Sequence, residues 1–190
     1  MIRALALLAL ATPAAAFEID YAKVFADHPE AVTATGPATR RADLPGDVHV
    51  VETAMSDGSH SYFAYDSGPY GATGCVFDIL VDLTIASKAC DGLLDDAQSA
   101  TLGRNLLTVA GFVAENSVPA VPQDGIMDRL AALFERRTEE MFTAGIACPN
   151  GTDGNQQLLP MIQTLTSDEF TPTLNAILSV PRLPVPEPCM

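Results

Sequence analysis

The chain of 190 residues is 48% hydrophobic and 18% charged, with 24 acidic against 10 basic side chains and a formal net charge of −14 at pH 7. That much apolar surface argues for a packed core and against disorder. So acidic a surface repels phosphate backbones and anionic lipid, which excludes nucleic acid and membrane surfaces as expected partners.

The chain opens "MIRALALLALATPAAAF". Arg3 supplies a positive start, Ala4 to Ala11 an apolar stretch, and Ala14-Ala15-Ala16 a small-residue cleavage site. This is the pattern of a Sec-type signal peptide over residues 1–16, too short to span a bilayer. The expectation is an exported chain, periplasmic or secreted, maturing at Phe17. No later apolar run reaches about 18 residues, so no membrane span is expected. The remaining 17–190 are of a length that suits one domain with its own core.

"DYAKVFADHPE" reads as one short helix ending near Pro29, and "TGPATRRADLPGD" as an irregular connection. "VHVVETAMSDGSHSYFAYDS" reads as a β-hairpin, with strands over about 48–55 and 60–67 around Asp57-Gly58. A two-residue turn there sets Met55 opposite His60 and His49 opposite Asp66. A slip of one residue would exchange the faces. "GPYGATG" follows as a glycine-rich loop with Tyr70 at its tip. Phe77, Ile79, Val81, Leu83 and Ile85 then alternate with Asp78, Asp82 and Thr84, which predicts a third strand over about 76–85.

From Leu93 the spacing changes to three and four. Leu102, Leu106, Val109 and Val113 mark a helix over about 93–116, and Ile126, Leu130, Leu133, Phe134 and Met141 a second over about 124–145. The proline-punctuated link between them implies an αα-hairpin. Leu158, Leu159, Ile162 and Leu165 suggest a short helical piece. Thr171-Pro172 suggests a last helix over 172–179, with a Thr166–Glu169 capping box as a rival start. A proline-rich tail, 180–190, ends the chain. The expected fold is α+β: a three-stranded antiparallel sheet followed by an αα-hairpin and short C-terminal helices.

Four cysteines in an exported chain suggest two disulfides, with three possible connectivities. Cys75 and Cys90 enclose a regular segment without Gly or Pro. That segment would separate them by about 33 Å as a strand or about 15 Å as a helix, too far for a bridge. Cys90 lies just before the helical hairpin and Cys148 just after it, at the same end, so they should pair, a constraint of about 4 kcal/mol. Cys189 is then left for Cys75.

Motifs for chemistry are sparse. His49 and Asp66 are the candidate catalytic pair of a small hydrolase-like enzyme, although such a pair is more often a cross-strand surface contact. His49 and His60 stand about 20 Å apart in that hairpin and cannot share a metal. His28 has no visible partner. Ser59 and Ser61 point away from His60. There is no G-x-S-x-G, Walker lysine, C-x-x-C-H or H-E-x-x-H, so neither cofactor nor metal is expected. Asp91, Asp95 and Asp96 gather at a helix start, where carboxylates favour the helix dipole. Tyr70 is a candidate recognition residue. The primary expectation is a non-catalytic binding or accessory protein, with another envelope or secreted protein as its partner.

Overall fold

The computed structural model describes residues 17–145, 148 and 158–189. The expected leader, residues 1–16, lies outside the described residues. The class is α+β with an antiparallel sheet, but the sheet has four strands rather than three.

Helix α1 (Tyr21–Asp27) forms where the short helix is expected, and the Asp20 carboxylate caps it by accepting from the Lys23 N–H at 2.9 Å. The expected irregular connection is instead a hairpin, β1 (Val32–Ala34) and β2 (Thr39–Leu44). β3 (Val48–Ala54) and β4 (His60–Asp66) complete a meander in the order β1-β2-β3-β4. Arg40 and Arg41 obscure β2 in the sequence. Both are ion-paired, Arg40 with Glu52 and Arg41 with Asp43, while Ala42 goes fully into the core.

The β3–β4 hairpin exists, with a register one residue from the expected one. Ala54 faces His60, and His49 faces Tyr65 rather than Asp66. A two-residue type I′ turn would require positive φ at both Asp57 and Gly58. Only Gly58 takes it, at φ 85°. Asp57 instead accepts from the Ser59 N–H at 2.9 Å, and Ser56 joins the loop, so Met55 and Ser59 close it. The slip places Val48, Val50, Glu52, Ala64 and Asp66 on the core face. It leaves His49, Phe63 and Tyr65 on the other, where Phe63 is exposed.

The segment expected as a third strand is helix α2 (Thr73–Ala89). Its alternation is incomplete, because Val76 and Leu80 are apolar at the positions assigned to solvent. α2 is a core helix, apolar round most of its circumference, and such a helix lacks a clean 3.6-residue signal. Phe77, Leu80, Val81, Leu83 and Ile85 are buried among residues of α3 (Asp96–Asn116) and α4 (Ile126–Ala144). Asp82 faces Arg137 of α4 in a two-pronged ion pair at 2.7 and 3.0 Å. α3 starts at a capping box in which Asp95 and Gln98 bond each other's backbone N–H. Its Leu102, Leu106, Val109 and Val113 are buried as their spacing predicts. α5 (Leu158–Leu165) follows. α6 (Phe170–Ile177) begins two residues before the expected 172, at neither proposed cap.

The disulfides join Cys90 to Cys148 and Cys75 to Cys189, with Cα separations of 5.6 and 5.2 Å. The first ties the C-terminal end of α2 to the chain beyond α4. The second pins the tail to the first turn of α2, where a strand had been expected. The tail then runs along the free edge of β4. Asp66 donates its N–H to Glu187 O at 2.8 Å, and Gly74 donates to Val185 O at 3.0 Å. A carbonyl from 111 positions downstream thus meets the start of α2, which has no side-chain cap of its own. Leu183 and Val185 enter a second core with Val24, Phe25, Ala42, Val48 and Val50. Among the described residues no helix is long and apolar enough to cross a membrane.

Candidate functional site

Three features bear on function: a buried ion pair, a polar chain on the outer side of the sheet, and a cavity. The first two separate the residues that the sequence pairs. Asp66 lies on the core face of β4, where Arg182 of the tail donates to it from Nε at 2.7 Å and the Gly68 N–H donates at 2.7 Å. Arg182 also donates to Ile177 O at 2.6 Å and to Gly71 O at 3.3 Å. Both side chains of the pair are at least 95% buried. Asp66 is therefore a structural anchor for the tail and does not meet His49.

His49 has other neighbours. Its Nδ1 lies 2.6 Å from Asp43 Oδ1, and its Nε2 lies 3.0 Å from Ser67 Oγ. Hydrogen bonds from Arg41 and then from His49 hold the Asp43 carboxyl below its ordinary pKa. The order Asp43–His49–Ser67 is that of a carboxylate-oriented base beside a hydroxyl. Ser67 is committed elsewhere as well. Its hydroxyl lies 3.0 Å from Asp47 O, and its N–H donates to the same carbonyl at 2.8 Å. The Ser67 N–H is thus not available as an oxyanion donor. His60 is placed apart from His49, 3.2 Å from the buried carboxylate of Glu52.

The cavity lies between α2, α5 and α6 and has a volume of about 870 Å³, inside the range of roughly 300–1,000 Å³ usual for small-molecule sites. Val76 and Ile79 of α2 form one wall, and Met161, Phe170 and Ile177 another. Tyr70 and Pro188 also line it, and its polar residues include Gln163, Thr164, Ser167, Glu169 and Thr173. Each wall is fixed from behind. The Asn105 amide on α3 donates to Leu165 O at 2.9 Å and holds the end of α5. Ile162, Leu165, Phe170 and Leu174 pack into the helical core. Cys75, bonded to Cys189, lines the cavity together with Pro188.

Of the residues singled out from sequence, Tyr70 lines this cavity, while His49 and Asp66 do not. The α5 and α6 contributions were missed. The signal that could have found them is the half-buried edge of α2, where Val76 and Ile79 share a helical face, but that requires reading 76–85 as helix. Among the described residues no group of three or more potential ligands could hold a metal. No protein family, curated protein or solved structure matches the chain.

Proposed function

We propose that the chain is an exported, non-catalytic binding protein that holds a small, mainly apolar organic ligand in the cavity between α2, α5 and α6. Its leader sequence and two disulfides support export. The observation that carries the reading is the cavity: about 870 Å³, apolar walls, a few polar points, and a disulfide and core packing that hold it open. Preformed walls reduce the ordering cost of binding.

The test is titration of the oxidised protein with the neutral apolar fluorophore N-phenyl-1-naphthylamine. One saturable site is expected, and Thr173→Trp should abolish it. Thr173 is an exposed lining residue, so the added ring fills the cavity without disturbing the core. No saturable binding by the wild type, or equal binding by T173W, overturns the reading.

A second reading rests on the Asp43–His49–Ser67 chain. In a serine hydrolase, His49 would take the proton from Ser67 Oγ as that oxygen attacks an ester carbonyl, and would return it to the leaving alkoxide. Water would then release the acid. A fluorophosphonate probe should label Ser67 in the wild type and not in His49→Ala. No labelling of the wild type ends this reading and leaves the network as a fastening of β4 to the β2–β3 turn.

A further inference from the structure

We infer that the ligand of the cavity is an amphiphilic cation, an amine or quaternary ammonium group on an apolar body. The inference rests on the pocket reading above and goes on to specify the class of ligand.

The lining contains one charged residue, Glu169, and no Lys, Arg or His. The surrounding sequence extends this asymmetry. Residues 61–87, which carry Tyr70 and the α2 wall, contain no basic side chain. Nor do residues 138–181, which carry α5 and α6 and hold the carboxylates of Glu139, Glu140, Asp153, Asp168 and Glu169. The first cation beyond them, Arg182, is buried and spends its guanidinium on Asp66 and the carbonyls of Ile177 and Gly71. A bound fatty-acid carboxylate would lose water and find no cation in exchange.

A helix N-terminus is the other common source of anion affinity, and α6 does not supply it. The N–H groups of Phe170 and Thr171 already donate to Ser167 O and Asp168 O, and Pro172 has none. Glu169 precedes this helix and makes no capping bond to it. Its carboxylate is exposed on the lining. Tyr70, 47% exposed, adds an aromatic ring to the same lining, and the face of such a ring attracts ammonium groups. An apolar body between Ile79, Met161 and Phe170, with its cationic head at Glu169 and Tyr70, satisfies every polar group it brings.

The experiment compares three ligands of equal chain length, decylamine, decanol and decanoate, as displacers of N-phenyl-1-naphthylamine at pH 7. The amine should bind about five-fold more tightly than the alcohol, the upper end for an exposed ion pair, and the acid more weakly than the alcohol. Glu169→Gln should bring the amine down to the alcohol and leave the alcohol unchanged. In high salt the amine's advantage should shrink. Decyltrimethylammonium should behave like the amine and lose affinity in Tyr70→Leu. Decanoate binding as well as decanol, or an unchanged amine-to-alcohol ratio in E169Q, overturns the inference while leaving the pocket reading in place. Failure of all three compounds to displace the fluorophore overturns the inference, and only failure of the fluorophore itself to bind saturably removes the pocket reading with it.

Discussion

Replacing Arg182 by Met tests the role of the tail most directly. The guanidinium is the charged partner of a carboxylate that is 99% buried, and it donates to three backbone carbonyls, Ile177, Val180 and Gly71. Met preserves the stem but none of these bonds. Asp66 would keep one donor, the Gly68 N–H, for a full negative charge without solvent. Breaking a buried pair from one side costs about 3–5 kcal/mol, most of it the stranded charge. For a chain of this size each kcal/mol lowers Tm by about 2–4 °C, so a fall of roughly 6–20 °C is expected.

Urea unfolding followed by far-UV circular dichroism gives the free energy, and a cycle with Asp66→Asn isolates the pair. Asn keeps an acceptor for Gly68 without the charge, so the double variant should be more stable than R182M alone. The coupling should exceed about 1.5 kcal/mol. A loss of less than about 1 kcal/mol in R182M, or additive effects in the cycle, refutes the reasoning. The same variant should also weaken fluorophore binding, since Ile177, whose carbonyl Arg182 holds, lines the cavity.

Gly74→Ala should be costly for a different reason, because a Cβ there would stand 2.5 Å from Pro184 O and 2.6 Å from Val185 O. The tail must move, at about 1–3 kcal/mol, and dithiothreitol should reduce Cys75–Cys189 faster than in the wild type; an unchanged rate and Tm would count against close approach. The double substitution Cys75→Ala/Cys189→Ala should cost about 2–5 kcal/mol and leave Cys90–Cys148 intact by peptide mapping, whereas wild-type stability would show the tail held without its disulfide. Stability should also fall in acid through Glu52, whose carboxyl is held below its ordinary value of 4.5 chiefly by the Arg40 hydrogen bond. Unfolded, it regains that ordinary value, so its contribution is present above about pH 4.5 and is lost as pH falls through the depressed folded value. Tm measured between pH 7 and pH 3 should therefore drop more steeply for the wild type than for Glu52→Gln, and parallel curves would remove Glu52 as the cause.

Much of the helical half was legible because local signals agree with tertiary roles. In α3 an apolar face stands against a mostly small and polar one, and in α4 against a charged one, so spacing alone places Leu106 and Leu130 inside. The pairing of cysteines was legible because Cys75 and Cys90 are too far apart whether the segment between them is strand or helix. α2 was misread because its partners surround it. Apolar residues round most of its circumference erase the helical period, and its N-terminal cap is a tail carbonyl that no local window contains. β2 was missed because Arg40 and Arg41 look like loop residues until Glu52 and Asp43 are in place to receive them. The His49–Asp66 pairing failed through one extra loop residue, Ser56, which moved Asp66 to the core and gave His49 the company of Asp43 and Ser67. The cavity depends on α2 meeting α5 and α6, a contact that follows from assembly and has no motif.

The tail links the sheet, the start of α2 and the cavity. Residues 183–188 touch the sheet through Leu183 and Val185, the β4 edge through Glu187, the α2 start through Val185 O, and the cavity through Pro188. A free tail of this kind would gain little from any one of these contacts, because each must offset the entropy of ordering the whole segment. The disulfide to Cys75 and the ion pair to Asp66 remove most of that entropy at two points, and the prolines between them limit what remains. Once the tail is fixed, α2 is capped and its first turn is held in place, and Val76 and Ile79 then line the cavity. The apolar site is thus a consequence of closing the chain on itself: loosening the tail at Arg182, Gly74 or Cys189 should cost binding before it costs the helical core, and a variant that unfolds α3 and α4 while retaining the ligand would contradict that order.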